Sequence, residues 1–266
     1  MAGEYITSLA REIQTAYANA QVLSSLPTSR EGGLDMAAAY SVESELMNLR
    51  RESGRKIVGV KVGYANKAMW RILKLDTLVW AHMYDDTVHF AANNSGEFSL
   101  AGRIAPKIEP EVVFKMKSPL TGSPNPAEVL QTVEWIALGF EIIDCIYPNW
   151  EFQPADFVAA YGLHAGLIVG EPHPVTSESV TAWAEQLPKF KLRLLRNNEL
   201  VEEGSGKNSL RSPALCVGEL ARIRPLDAGD LVSSGTLTTP QLIESGDQWS
   251  AEVEGIGFSP LTLHVH

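Results

Sequence analysis

Apolar residues recur at helical spacing in two segments near the start of the chain: Ile6, Leu9, Ile13, Ala16 and Tyr17 within residues 5–26, and Ala39, Val42, Leu46 and Leu49 within residues 35–52. Positions three and four apart share one face of a helix, so each segment predicts a helix with a single face to bury. The Gly, Ser and Pro content of residues 27–33 predicts a loop between them. From residue 56 the pattern changes. Residues 56–63 and the later runs 111–116, 135–143, 166–169, 190–196, 230–233 and 249–253 are short, β-branched or alternating, with Gly, Pro or Asn between them, and predict strands. The Asn-Asn pair at 197–198 tolerates positive φ and predicts a hairpin turn. Shorter helices are predicted over 126–134, capped by Asn125 with Pro126 in the first position, and over 177–186 and 212–222. There is no internal repeat, heptad run or low-complexity tract. The pattern predicts an α+β protein. A small helical N-terminal region (1–55) flanks the site or packs against a neighbour, and it precedes a β-rich domain (56–266) built on a mixed, rolled sheet or incomplete barrel.

Composition narrows the function. A chain of 266 residues, 45% hydrophobic and 20% charged, is ordinary for a folded globular protein. Its 22 basic residues against 32 acidic ones give a net charge of −10, and no cationic run exceeds Arg50-Arg51, so nucleic acid is not an expected partner. No apolar stretch approaches the ~20 residues that span a bilayer, and the first residues lack a basic and then apolar leader, so a cytoplasmic location without a membrane partner is expected. Cys145 and Cys216 sit among apolar neighbours, which suits buried reduced thiols better than a disulfide framework or a zinc site.

The candidate chemistry lies in carboxylates. Glu109 and Glu111 are two residues apart in Ala-Pro-Lys-Ile-Glu-Pro-Glu-Val-Val-Phe (105–114), so on an extended strand both point to one face. Glu141 sits among Ile136, Ala137, Leu138, Phe140, Ile142 and Ile143, where an unpaired charge is costly to bury. Like charges raise one another's pKa, and a hard divalent cation such as Mg²⁺ or Mn²⁺ relieves the repulsion while leaving positions for water or substrate. Solvated glutamates on an exposed strand face are the plainer alternative for Glu109 and Glu111.

Several motifs occur together in order. They are Lys61 in Gly-Val-Lys-Val-Gly (59–63), Ile-Glu-Pro-Glu (108–111), Phe-Glu-Ile-Ile-Asp (140–144), Ala-Gly-Asp-Leu-Val-Ser-Ser-Gly-Thr-Leu-Thr (228–238), Ser-Gly-Asp (245–247) and Glu-Gly-Ile-Gly (254–257). From about residue 35 onward the chain resembles the hydratase/decarboxylase branch of the fumarylacetoacetate hydrolase superfamily, which includes 2-oxopent-4-enoate hydratase and 4-oxalocrotonate decarboxylase. The resemblance implies that family's C-terminal fold, a Mg²⁺ or Mn²⁺ site at Glu109, Glu111 and Glu141, and an oligomer. It also implies a small 2-oxo acid substrate in aromatic catabolism, and association with a consecutive pathway enzyme is compatible with it. Hydrolases of the superfamily usually have Asp as third ligand and a Glu-His dyad in an N-terminal lid. Here the third ligand is Glu and no His precedes His82, which favours hydratase or decarboxylase over carbon-carbon hydrolysis.

The expected reaction passes through a dienolate stabilised by the cation as a Lewis acid. Hydration of 2-hydroxypenta-2,4-dienoate is the main reading and decarboxylation of 4-oxalocrotonate the alternative; an acylpyruvate hydrolase and a non-catalytic metal-stabilised protein stay further back. Lys61 is the candidate to hold a substrate carboxylate or act as acid/base after a pKa drop, or else it is a surface lysine of an edge strand. Thr238, with Ser234 and Thr236 as alternatives, is a candidate donor to the substrate carboxylate, and Gly235 would admit close approach to the backbone. Asp85 is placed near the mouth by the resemblance, although turn formation by Asp85 and Asp86 explains them as well. Where family hydratases have Ala-Asp-Asn-Ala-Ser, this chain has Ala-Ala-Tyr-Gly-Leu-His (159–164). His164 is therefore either a proton shuttle or a core histidine, and Asp156 either a catalytic group or a helix cap. His264 and His266 are expected to fray.

Overall fold

The computed structural model describes residues 2–266. Helices α1 (Ala2–Ala18) and α2 (Met36–Glu52) are followed by strand β1 (Ile57–Gly63), helix α3 (Lys67–Leu73) and strands β2 (Val79–Tyr84), β3 (Val88–Phe90), β4 (Ser95–Phe98) and β5 (Lys107–Met116). Helix α4 (Pro126–Gln131), strand β6 (Val133–Ile143), helix α5 (Pro154–Ala159), strands β7 (His164–Val169) and β8 (His173–Pro174) and helix α6 (Val180–Gln186) form the middle. The last part holds β9 (Lys191–Arg196), β10 (Glu199–Ser205), α7 (Pro213–Ile223), β11 (Leu231–Ser233), β12 (Gln241–Leu242), β13 (Gln248–Glu254) and β14 (Leu261–Val265).

The larger sheet runs β2-β1-β11-β5-β6-β7-β3, with β12 beside β5 and β8 beside β6. Its two ends, β2 and β3, are consecutive in the chain and separated by only residues 85–87, so the sheet curls until its edges approach each other. This is the expected incomplete barrel. It is mixed as well, since β1 is parallel to β11 and β7 to β3 while the other pairs are antiparallel. A second sheet, β10-β9-β13-β14-β4, packs against it through a core that includes Phe114, Phe140, Leu192, Trp249 and Leu261.

The apolar faces of α1 and α2 do find a surface to cover. Leu9, Ile13, Val42 and Leu46 join Tyr147, Val158 and Leu163 in one buried cluster, so the N-terminal helices pack onto α5 and the helical turn at Tyr161–Leu163. Helix α1 is shorter than its pattern predicts. It ends at Ala18, a turn with Ala20 at φ 50° follows, and the Leu23 N–H then donates to Ile146 O at 2.7 Å. Helix α4 has the predicted Asn125 cap with a reciprocal bond from Glu128, but Val133 and Glu134, taken for helix, belong to β6. The hairpin turn has Asn197 at φ 53° and Asn198 at φ 67°. His264 does not fray, because β14 pairs with both β13 and β4 and holds it opposite Gln248 and Glu97.

Asp156 needs correction as a catalytic candidate. Its carboxylate is fully buried and accepts from Thr28 N at 2.9 Å, Thr28 Oγ1 at 2.6 Å and Gln153 N at 3.0 Å. Those bonds cap α5 and tie the loop between α1 and α2 to it, leaving the group no role toward a substrate. Asp156→Ala is expected to lower stability by about 2–4 kcal/mol, since buried donors lose a charged acceptor. Urea denaturation checks this, and a loss below about 0.5 kcal/mol would contradict it.

Candidate metal centre and active site

Strand β5 carries Glu109 and Glu111 on one face, and β6 places Glu141 directly opposite Glu109 in the register. One carboxylate oxygen from each comes within 4.8 Å of the others, and all three side chains are buried. The same sheet face continues with Val113, Ala137, Leu167, Leu231 and Met83, a short apolar plug below the glutamates. Lys61, only 2% exposed, reaches this group from β1: its Nζ lies 3.1 Å from Glu141 Oε2 and donates to Gly162 O at 2.9 Å. It is therefore no surface lysine.

Three carboxylates against one ammonium in a dry site leave an excess of negative charge. Burial, with the neighbouring glutamates adding and Lys61 opposing, pushes Glu109 and Glu111 up to about 8. Glu141 is raised as well, chiefly by burial. Burial alone would lower Lys61, but Glu141, Glu109 and Glu111 outweigh it and the group is raised, opposite to the expected drop.

The remaining polar contacts fix Glu111 and Glu141 by one oxygen each. Glu111 Oε2 accepts from Ser233 Oγ at 2.5 Å and from Gly235 N at 2.8 Å, while its Oε1 is buried with no hydrogen-bond partner. Glu141 Oε1 accepts from His164 Nδ1 at 2.9 Å; its Oε2 has no hydrogen bond of good geometry and faces only the Lys61 ammonium. These buried oxygens without donors, in an all-carboxylate set, fit a hard divalent cation. Gly235 is at φ 89°, and a Cβ there would lie 2.6 Å from that of Ala65, so only glycine can present this N–H to Glu111.

A cavity of about 700 Å³ opens on the cluster and is lined by Lys61, Glu109, Gly235, Thr236 and Thr238 together with Trp150, Phe152 and Phe157. Ser234, Asp85, His164 and Asp156 do not line it. Ser234 is fully buried and its hydroxyl donates to Val112 O at 2.8 Å, so the adjacent Ser233, not singled out from the sequence, is the hydroxyl at the cluster. Asp85 accepts from Lys56 N at 3.1 Å in the turn after β2, away from the cavity. His164 backs the cluster instead of lining this cavity. Burial, with Lys61, Arg103 and Arg50, pulls it down to about 3, so it is neutral. The ring bonds Glu141 Oε1 through Nδ1 at 2.9 Å and Thr87 Oγ1 through Nε2 at 3.0 Å. Its ring thus holds Glu141 in place and borders a different space. Asp144 was noted only as part of a motif; its carboxylate accepts from Ile104 N at 3.0 Å and Ala105 N at 2.9 Å, holding the approach to β5.

Fold and site together place a carboxylate cluster fit for a divalent cation inside an incomplete β-barrel. Residues 82–263 match the family model for the fumarylacetoacetate hydrolase C-terminal domain, and the chain belongs to that family. It is similar to 2-keto-4-pentenoate hydratase 1 of Dechloromonas aromatica (strain RCB), 30% identical over 232 residues with 84% of each chain covered. It is also similar to a 4-oxalocrotonate decarboxylase of a Pseudomonas species, 28% identical over 225 residues with 82% and 83% covered. Among solved structures, 4-oxalocrotonate decarboxylase from Pseudomonas putida G7, complexed with magnesium and adipate, superposes with a TM-score of 0.88 at 25% identity, covering 100% of this chain and 99% of that one.

The raised carboxyls set a pH dependence. Unfolded glutamates ionise near their ordinary value of 4.5, whereas Glu109 and Glu111 hold their protons to about 8 when folded. Between these values the folded chain binds more protons, so stability is greatest at the acid end and falls as pH rises through the window. Melting curves of metal-free protein are expected to show a melting temperature declining from about pH 5 to about pH 8. The decline should be shallower in Glu109→Gln. A contribution of opposite slope from these two groups, read as the difference between wild type and Glu109→Gln, would contradict the assignment.

Proposed function

We propose that this protein is a divalent-metal-dependent lyase acting on 2-oxo and 2-hydroxydienoic acids, with hydration of 2-hydroxypenta-2,4-dienoate as its reaction. The observation that carries this reading is the buried Glu109, Glu111 and Glu141 cluster, answered by one lysine and open to a substrate-sized cavity. These glutamates would hold Mg²⁺ or Mn²⁺, which when bound supplies positive charge beside the carboxylate and 2-oxo oxygens of a substrate. The other tasks fall to the chain. Lys61 adds a fixed ammonium at the floor of the cavity, where it offsets the negative charge that builds on the substrate as its 2-hydroxyl gives up a proton, before the far carbon of the conjugated system takes one up. Thr236 and Thr238 stand at the wall with their hydroxyls donating to Thr238 O at 2.9 Å and Thr239 O at 3.2 Å, so each would turn from a backbone carbonyl to meet the substrate carboxylate, while Gly235 lines the wall beside them. Trp150, Phe152 and Phe157 give the diene an apolar wall.

Decarboxylation of 4-oxalocrotonate is the second reading, supported by the full-length likeness to the Pseudomonas putida enzyme. That substrate has a second carboxylate. Lys107 is the one further cation on the cavity wall, its Nζ resting 4.0 Å from the Trp150 ring centroid, while Glu202 and Glu203 also line the cavity. This balance of charge favours a monocarboxylate. A cytoplasmic homo-oligomer in aromatic ring-cleavage catabolism, beside a consecutive enzyme, is the setting we propose, and the exposed Phe90 and Leu242 are apolar surface suited to a second copy.

Spectrophotometric loss of 2-hydroxypentadienoate and of 4-oxalocrotonate, with mass analysis of products, tests the reading. Expected are a product heavier by one water from the first compound, abolition by a chelator and recovery with Mg²⁺ or Mn²⁺. Glu111→Gln is expected to lower kcat/KM by about 10²-fold or more. Turnover of neither compound, or turnover indifferent to chelator, would contradict it.

A further inference from the structure

A second cavity, of about 550 Å³, lies on the other side of the Glu141–His164 pair. It is bordered by α1 and by the seam between β2 and β7, with Arg50, His82, Tyr84, Thr87, Arg103 and His164 in its wall. Lys61, Glu109 and the threonines of the first cavity do not border it, so the two spaces have separate polar linings.

Its charge is unbalanced. Asp86 is the one carboxylate on this wall, and it is already shared between Arg50 and Arg55, the latter at 3.2 Å. Glu43, behind the wall, is spent on His82, bonding Nδ1 at 2.7 Å and the backbone N–H at 3.1 Å. Arg103 has no ion pair among the described residues, and its Nε is buried without a hydrogen-bond acceptor. The hydroxyl of Tyr84, a residue 2% exposed, is likewise buried without a partner. Burial pushes this phenol upward, so it keeps its proton and can donate. Both unmet groups are donors, and a buried donor that lacks an acceptor is destabilising. Aromatic faces hold the guanidinium groups in place, Arg103 over Phe98 at 5.4 Å and Arg50 over Tyr84 at 4.7 Å. A ligand with several acceptor oxygens and negative charge answers each of these features. An apolar or cationic ligand answers none of them.

We propose that this seam cavity is a second ligand site, which takes a small oxyanion, a carboxylate or a phosphate ester, through Arg103 and Tyr84. The volume suits a molecule of metabolite size. Planar Arg geometry suits paired bonds to either kind of oxyanion. The site does not depend on the divalent cation.

Titration calorimetry of the full chain, dialysed free of divalent metal into Tris chloride, with methyl phosphate and with butyrate as separate probes, tests this. Saturable binding of either, tighter than about 1 mM, is expected, and the anion that saturates identifies the chemistry. Arg103→Gln is expected to weaken binding at least about tenfold, and Tyr84→Phe to weaken it less, with both variants melting as cooperatively as the wild type. Glu109→Gln, which alters only the metal cluster, should bind the anion as the wild type does. No saturation with either probe, or saturation unchanged by both Arg103→Gln and Tyr84→Phe, would overturn the proposal.

Discussion

Three carboxylates buried against a single ammonium are the interaction on which the rest of this structure depends. Removing one partner from a buried charged group costs about 3–5 kcal/mol, so a fold that gathers three carboxyls around one lysine must steady them by other means, and Glu109 and Glu111 keep their protons up to about 8. It does so through fixed donors. Ser233 and Gly235 bond one oxygen of Glu111, and His164 one oxygen of Glu141, while Glu111 Oε1 has no donor and Glu141 Oε2 faces the Lys61 ammonium. Each contact comes from a different strand or loop, so the cluster depends on β1, β11, β5, β6 and β7 lying side by side in the larger sheet.

The N-terminal helices belong to the same construction. Their apolar faces cover α5 and the Tyr161–Leu163 turn, and Asp156 ties the loop between them to the cap of α5. From that turn Gly162 O receives Lys61, Leu163 lines the first cavity and His164 begins β7 behind Glu141. Support for the metal cluster thus extends outward to α1 and α2, although neither helix touches it.

Much of this was legible in the sequence, for identifiable reasons. The two-residue period of a strand places Glu109 and Glu111 on one face, and the apolar surroundings of Glu141 mark a buried charge. Lys61 between Val60 and Val62 followed the same logic. What stayed hidden depended on tertiary contacts or on a single step of register. Ser233 and Ser234 are neighbours with opposite faces, and composition cannot tell which one meets Glu111. Asp156 looked available for chemistry until Thr28, 128 residues away, occupied it. His164 shares its cluster's polar network but faces the other cavity, a distinction that requires knowing how β7 closes on β2. The aromatic wall of Trp150 and Phe152 arises from a loop with no periodic pattern to announce it.

As proposed above, these glutamates would form one metal site whose carboxyls hold protons until an ion displaces them. Calorimetric titration of metal-free protein with Mn²⁺ near pH 7, repeated in buffers of different ionisation enthalpy, counts the protons released per ion bound. The account predicts one ion per chain with net proton release, because Glu109 and Glu111 are raised to about 8. Absence of saturable binding, or binding without proton release that persists unchanged in Glu111→Gln, would contradict it.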